Sequence, residues 1–351
     1  MSGGVDSSVT AALLKDAGHR LIGVTMKVWD APEEVERRHG ACCSLDDAED
    51  ARRVAERLGI PHYTLNTQNE FKEKVVDYFV SEYLKGRTPN PCVLCNSEVK
   101  FDYLFKKGAS FGAELVATGH YARIGEFMGR KVILRGHDDT KDQSYFLFSI
   151  KPERLDSILF PLGGYSKTQV RAMADKYALP VAQKQESQEI CFIPDNDYGR
   201  FIRSLPEGKN TPSGDIVDDT GKKIGVHKGY PFYTVGQRRG LGIGHSERLY
   251  VTAIEPERNR IVVGHKDSIY GKALLARGMN WFVPPQELAG LALTARIRHQ
   301  GKDAPAQVTP GENNSATVEF ESPQMSITPG QAVVLYHEDA LLGGGWIEKK
   351  V

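Results

Sequence analysis

Two groups of residues in this chain are equipped for chemistry. The first is the opening run Met1-Ser2-Gly3-Gly4-Val5-Asp6-Ser7-Ser8, where paired glycines flanked by hydroxyls lead into the helical pattern Val9, Ala12, Leu13. Glycines let a backbone approach a ligand closely, and the N–H groups at a helix start favour an anion. The same residues also read as an ordinary helix cap, since Ser and Asp are common there. A Walker A loop is excluded, because no Gly-Lys-Ser/Thr follows at the required distance. The second group is thiols. Cys92 and Cys95 lie three positions apart after Thr88-Pro89-Asn90-Pro91, Cys42 and Cys43 are adjacent, and Cys191 stands alone. A structural zinc site could draw on Cys92, Cys95 and the early pair, although a second CxxC knuckle or a spaced His is missing. A redox CxxC at a helix start is an alternative, and Cys42 and Cys43 also fit as buried, inert thiols.

The first half of the chain alternates helices and strands that could hold these groups. Residues 7–17 read as a helix, 21–28 as a strand, 46–58 as a charged amphipathic helix, 62–66 as a strand and 70–84 as a helix. After a long loop come a helix near 97–111 and a strand at 115–118. Such alternation implies crossover units and a parallel sheet, in which ligands sit beyond the carboxyl ends of the strands. A glycine loop feeding a helix normally follows a strand, and only Met1 precedes Ser2. A strand upstream of the recorded start is therefore expected, and a longer chain carrying it should bind ATP better. Residues 121–137 read as a hairpin with Gly125 and Gly129 as turn candidates. Ser166 and Gln169 match a capping box that opens a helix to about Tyr177.

Beyond residue 204 short apolar strands alternate with turns such as Asp218-Asp219-Thr220-Gly221, so this portion reads as mostly β. The expected division is a catalytic α/β domain over 1–203, a small central β domain over 204–270 and a barrel-like β domain over 271–351. A length of 351 residues accommodates such a division. No apolar run reaches the ~18 residues that suggest a membrane span, and the N-terminus has no signal-peptide pattern. A cytoplasmic setting is expected, and thiols there serve metal or redox chemistry more often than structural disulfides. The formal net charge is +0, so nucleic-acid binding would need a local basic surface. Gly236–Gly244 offers Arg238 and Arg239 on a glycine-rich backbone suited to phosphate, or reads simply as a solvated turn. Arg296 and Arg298 would share one face of a presumed strand. His19, His39, His62, His137, His227, His245, His265 and His337 show no ligand spacing.

Ser2–Ser8 resembles the pyrophosphate loop of ATP pyrophosphatases, and the whole chain resembles the tRNA-specific 2-thiouridylases, which replace an oxygen by sulfur on the wobble uridine. The likeness runs through Cys42-Cys43-Ser44, Gly86-Arg87-Thr88-Pro89-Asn90-Pro91, Leu94-Cys95-Asn96 and Ala117-Thr118-Gly119-His120-Tyr121. It continues in Lys141–Leu147, Ile190-Cys191-Phe192-Ile193, Gly236–Gly244 and Thr328-Pro329-Gly330-Gln331. The resemblance implies that Ser2, Gly3, Gly4, Val5, Asp6 and Ser7 hold ATP phosphates, with Met26 and Gly119 on the nucleotide. It implies that Asn90, Pro91 and Cys92 face the target base. His120, Lys141, Asp142, Gln143, Arg298, His299 and Gln331 match positions that touch tRNA. Cys95 matches the nucleophile, and Cys191 matches the cysteine that carries a persulfide and forms a transient disulfide with Cys95.

That inventory makes chemical sense. A uracil oxygen leaves poorly until ATP converts it to an adenylate, and the phosphate charge calls for oriented donors with Mg²⁺. Sulfur attacks best as a thiolate or persulfide, and a second thiol can release it by disulfide formation. Partners implied are tRNA and a cysteine desulfurase or sulfur-relay protein, with no membrane. Many members of the family carry Asp where this chain has Cys92, which leaves the acid–base role unassigned. An iron–sulfur cluster on Cys92, Cys95 and Cys191 is a less favoured alternative. Two other classes compete: a small-molecule synthetase that adenylates its substrate, and an RNA- or cluster-binding module with a degenerate loop. The first leaves Cys95 and Cys191 unexplained, and the intact Ser2, Gly3, Gly4, Asp6 and Ser7 argue against the second.

Overall fold

The computed structural model describes residues 1–29, 45–185, 190–193, 195–244 and 247–351. Cys42-Cys43-Ser44 lie outside the described residues. The chain divides into two compact units. One comprises Met1–Val76, Cys92–Asn196 and Asp339–Leu341; the other comprises Asp77–Pro91, Asp197–Glu338 and Leu342–Val351.

In the first unit α1 (Val5–Asp16), β1 (Gly23–Lys27), α2 (Leu45–Leu58) and β2 (His62–Asn66) follow in order. Helix α3 starts as Gln68–Phe71 and passes through a π-helical turn at Lys72–Val76; its last part, Asp77–Leu84, is counted with the second unit. Helix α4 repeats that construction as Pro91–Leu94, a π-helical Cys95–Phe101 and Asp102–Ser110. Then come β3 (Val116–Ala117), β4 (Ala122–Phe127), β5 (Arg130–Arg135), β6 (Ile158–Leu159) and α5 (Lys167–Lys176). β1 runs parallel to β2, with Met26 opposite Leu65, and β3 runs parallel to β6. The β1–α2–β2 order is the expected crossover layout, whereas the connection from β3 to β6 carries the β4–β5 hairpin. Val5, Val9 and Ala12 of α1 pack with Val54 and Leu58 of α2 and with Val170 and Ala174 of α5. Each buried Val or Leu there contributes about 1.5–3 kcal/mol.

Local expectations fare unevenly. The capping box is present, with Ser166 Oγ accepting from Gln169 N at 3.3 Å and Ser166 N donating to Gln169 Oε1 at 2.8 Å. Gly125, expected in a turn, lies inside β4 opposite Val132, where an added Cβ would come 2.4 Å from Leu134 Cδ1. The turn is instead Met128-Gly129, both left-handed at φ 51° and 71°, as a two-residue hairpin requires. The loop expected before residue 97 is already helical from Pro91, a residue suited to a first helical position.

The second unit holds α6 (Tyr198–Ser204) and a four-stranded sheet of β7 (Gly214–Val217), β8 (Lys223–His227), β9 (Tyr250–Glu255) and β10 (Arg260–Gly264). Its core is Ile216, Tyr233, Leu241, Leu249, Val251, Ile261 and Val263. The strands β11 (Tyr270–Trp281), β12 (Thr294–Arg296), β13 (Ala304–Gly311), β14 (Ser315–Met325), β15 (Ala332–His337) and β16 (Ala340–Lys350) follow. They are ordered β11-β14-β13-β12-β15-β16, and β16 pairs back onto β11. The result is a closed six-stranded antiparallel barrel, an arrangement that removes exposed sheet edges. Alternate residues Leu274, Ala276, Val318, Phe320, Val333 and Leu335 fill its interior. Among the described residues no helix is long and apolar enough to cross a membrane.

Candidate functional site

The glycine loop is closed on itself. Ser2 N donates to Ser7 Oγ at 3.1 Å, the two serine hydroxyls are 3.3 Å apart, and Ser7 Oγ donates to Gly4 O at 3.2 Å. Gly4 caps α1 without a side-chain hydrogen bond, so the helix start keeps its N–H groups for an incoming acceptor. Gly3 has φ +67°, and a Cβ there would sit 2.2 Å from the backbone oxygen of Asp47 in α2. Only glycine satisfies both conditions. Gly119 meets the other side of the loop, where a Cβ would lie 2.9 Å from Asp6 C and from Ser7 N.

Asp6, in the first turn of α1, is the loop's charged centre. Its carboxylate accepts from Tyr121 OH at 2.8 Å and from Lys167 Nζ at 2.7 and 2.9 Å. The ammonium also lies 5.7 Å from the centroid of the buried Tyr121 ring. Tyr121 is fixed in turn by Gln143, whose side-chain oxygen accepts from Tyr121 N at 3.0 Å and whose N–H donates to Tyr121 O at 2.9 Å. Lys167 was not singled out by the sequence, yet its signal was there. A lysine occupies the first helical position of α5, where the helix dipole favours a carboxylate and the first turn has none.

The thiols stand on neighbouring elements. Cys95 is buried and opens the π-helical turn of α4, while Cys92 one turn earlier is exposed and Cys191 is half-buried. That turn is tied to the loop region at two points. Asn96 Nδ2 donates to Phe146 O at 3.3 Å, and Phe101 stacks on His120 at 6.1 Å between centroids. His120 is also edge-on to Phe160 and shares a 2.8 Å hydrogen bond with Thr118 Oγ1. Removal of its ring from water, with the Lys100 charge as a lesser cause, pushes its pKa down to about 3. That environment favours the neutral ring. The two π-helical turns pack together, with Lys74 Nζ 3.4 Å from Glu98 Oε2. On the far side Phe71, which precedes the first of them, meets Phe192 edge-on at 5.6 Å, and Trp29 beyond β1 lies 6.4 Å from the same ring. Lys184 Nζ donates to Asp47 and Asp50 of α2, both at 2.5 Å. Asp47 is also where Gly3 touches α2.

The remaining expected residues are placed as follows. Met26 is half-buried near the end of β1. Asp142 is buried, and its oxygens accept from Gly136 N and Ser144 N at 3.1 Å and from Ser144 Oγ at 3.0 Å. With Arg135 at 3.6 Å, that carboxylate is a structural hub, and neighbouring Lys141 N bonds Asp138 O at 2.9 Å. In the second unit Gln331 Nε2 donates to Thr88 O at 3.0 Å and Pro89 O at 3.3 Å, so it fixes the loop that leads to Asn90 and Pro91. Arg87 secures that loop through Glu82 at 2.7 Å and Glu348 at 3.2 Å. The basic strand face expected from Arg296 and Arg298 does not form. β12 ends at Arg296, whose guanidinium is held by Asp303 at 2.8 and 3.0 Å, and Arg298 and His299 fall in the following turn.

Among the described residues no three His, Cys, Asp or Glu side chains converge to hold a metal ion. Mg²⁺ needs only one or two carboxylates beside substrate phosphates, and Asp6 is the one carboxylate in the first turn of α1, shared there with Lys167.

A parallel α/β unit with a glycine loop at a helix start, followed by a small sheet and a closed barrel, defines a nucleotide-binding catalytic module with appended β domains. Family models agree: a tRNA methyl transferase HUP domain matches residues 1–195, the corresponding PRC-barrel domain matches 204–265, and an aminomethyltransferase beta-barrel domain matches 271–347. The chain is 52% identical over 356 residues to the tRNA-specific 2-thiouridylase MnmA of Geotalea uraniireducens, covering 100% of this chain and 94% of that one. It is 51% identical to the protein of the same name from Geobacter metallireducens, covering 99% and 95%. The chain belongs to the tRNA-specific 2-thiouridylase family. A solved U34-tRNA thiolase, NcsA from Methanococcus maripaludis with its [4Fe-4S] cluster, is 19% identical with a TM-score of 0.33, covering 60% of this chain and 66% of that one.

Proposed function

We propose that this chain is an ATP-dependent sulfurtransferase that thiolates the C2 position of the wobble uridine in tRNA. The observation that carries the reading is the coupling of Cys95 to the glycine loop. The thiol-bearing turn is bonded to Phe146 and stacked on His120, and the adjacent Gly119 and Tyr121 touch Ser7 and Asp6. An activating loop and a nucleophile are thereby built on one packed network. The family relatives at about half identity over the full chain support the same activity.

In the mechanism, the Ser2–Ser7 backbone and the start of α1 hold the phosphates of ATP, as oriented N–H donors stabilise charge that grows in the transition state. Asp6 would hold Mg²⁺, which supplies charge neutralisation to the phosphates. Lys167 places a second positive charge beside the same loop. The uracil C2 oxygen attacks the α-phosphorus and pyrophosphate leaves, giving an adenylate. The terminal sulfur of a persulfide on Cys191 then bonds to C2 and AMP departs with the oxygen. Attack by the Cys95 thiolate on the Cys191 sulfur breaks the S–S bond, leaves sulfur on the base and forms a Cys95–Cys191 disulfide. A thiol reductant and a persulfide donor, a cysteine desulfurase or relay protein, complete the cycle. Base extrusion into such a site costs a few kcal/mol, roughly. The packing of Phe192 beside Phe71, whose helix contacts the Cys95 turn, supports an approach of the two thiols.

The test is mass spectrometry of tRNA incubated with protein, ATP and a persulfide donor. Wild type should form 2-thiouridine, while Cys95→Ser and Cys191→Ser should not. ATP–pyrophosphate exchange that needs no tRNA would indicate a small-molecule synthetase instead, and full thiolation by Cys191→Ser would remove the carrier role.

A further inference from the structure

We infer that Arg238, Arg239 and Arg248, set around the glycine loop Gly240–Gly244 of the second unit, form a cradle for RNA backbone phosphates. The inference deepens the tRNA reading above and rests on it, because it names a surface that would hold the substrate. Three observations carry it.

The first is unspent charge. All three arginines are exposed, and among the described residues no carboxylate pairs with any of them. Several arginines elsewhere are tied down: Arg52 by Glu49 and Glu56, Arg87 by Glu82 and Glu348, Arg260 by Glu255, and Arg296 by Asp303. Glu247, the one carboxylate lining this surface among the described residues, lies 3.0 Å from His265. Arg238 and Arg248 line one concavity and Arg239 is next to Arg238 in the chain; a guanidinium fork matches phosphate oxygens in pairs, so this surface suits that chemistry.

The second is preorganisation. Leu241 and Leu249 are buried in the core of the small sheet, which leaves Arg238, Arg239 and Arg248 on the outer side of the same segments. Gln237 fastens the base of the loop: its side-chain oxygen accepts from Thr234 N at 3.1 Å, and its amide donates to Arg239 O at 2.9 Å. Gly236 N and Gln237 O each bond Val251, at 2.7 and 2.9 Å.

The third is open space. Among the described residues, a Cβ at Gly242 or Gly244 would meet nothing within 4 Å, and the surface borders an open concavity of about 550 Å³. Glycine at an uncrowded position of this kind lets a ligand approach the backbone. Among the described residues the lining has no aromatic ring on which a base could stack. Recognition should therefore be of phosphate and independent of base sequence.

The experiment uses the full chain with Arg238, Arg239 and Arg248 all changed to Gln, a second variant with all three changed to Lys, and wild type. Affinity for unmodified tRNA is measured by fluorescence anisotropy across a potassium chloride series. Each phosphate left without its arginine should reduce the slope of log K against log salt by about 0.7–0.9, so the Gln variant should lose roughly 2 in slope. The Lys variant should keep most of the slope, and an unrelated RNA hairpin should show the same loss as tRNA. A Gln variant with wild-type affinity and slope would overturn the inference, as would a loss confined to one RNA sequence. Failure of wild type to bind tRNA at all would instead overturn the functional reading on which it rests.

Discussion

Removing the charge of Lys167 should uncouple nucleotide activation from folding. The ammonium lies 2.7 and 2.9 Å from the two oxygens of Asp6, with side-chain exposures of 11% and 33%. At such a separation, and with an effective dielectric of ~20, the direct attraction is about 6 kcal/mol before desolvation is subtracted. Truncating one partner of a fully buried pair costs about 3–5 kcal/mol. Asp6 is partly open to water and keeps its bond from Tyr121, so Lys167→Gln should cost less, about 1–3 kcal/mol of stability. Catalysis should suffer more. A positive group aimed at developing phosphate charge is worth about 10²–10³ in rate, by analogy with removal of one oxyanion donor. The assay is tRNA-dependent ATP–pyrophosphate exchange, run beside denaturant titrations of Lys167→Gln, Asp6→Asn and the double variant. A purely structural pair predicts that the double variant regains stability and that Lys167→Gln exchanges at the wild-type rate. That last result would refute the role assigned to Lys167.

Two further outcomes follow from the geometry. Gly119→Ala would press a Cβ to within 2.9 Å of the Asp6 and Ser7 backbone, so the loop must move. The KM for ATP in exchange should rise at least about tenfold while stability falls by about 1–3 kcal/mol, and an unchanged KM would show that Gly119 does not shape the site. His120, with its pKa depressed from 6.5 to about 3, is neutral when folded but takes a proton when unfolded below pH 6.5. The unfolded chain then binds more protons, so stability falls as pH drops through that window, by at most about 1.4 kcal/mol per pH unit for this group. His120→Phe should lose less stability than wild type between pH 7 and pH 5 in urea titrations; parallel losses would count against the cause given. His62 and His227 are also lowered by burial, and the comparison with the variant separates His120 from them.

Where the sequence was legible, it was because one local rule was strong enough to act alone. The Ser166–Gln169 box is present because both of its hydrogen bonds are intrinsic to a helix start. The strand at His62–Asn66 was readable from its apolar and polar alternation and its bounding turn residues. The π-helical turns at Lys72–Val76 and Cys95–Phe101 were not readable. A π turn adds one residue to a helical repeat, and over so short a stretch it leaves the apolar pattern nearly unchanged. Gly125 misled for the opposite reason. Its side chain is missing to admit Leu134 from the paired strand, a demand that lies several residues away and is invisible locally. The basic face expected at Arg296 failed because the strand stopped there and Asp303 took the charge.

The run Gly119-His120-Tyr121 shows why site residues can be located from a motif while their roles are not. Each of the three touches a different part: Gly119 the backbone of the glycine loop, His120 the thiol-bearing turn through Phe101, and Tyr121 the Asp6 carboxylate. None of these contacts requires the residue to meet a substrate. A glycine is needed for closeness, an uncharged flat ring for stacking, and a phenol for a hydrogen bond with apolar support. Gln143 then locks Tyr121 from both its N–H and its C=O. Positions expected to face RNA or nucleotide thus join the glycine loop to the turn that carries Cys95. Loosening that joint should slow sulfur transfer through misplacement of Cys95 against the activated base, because a shift near 1 Å can cost about 10²-fold without removing any reacting group.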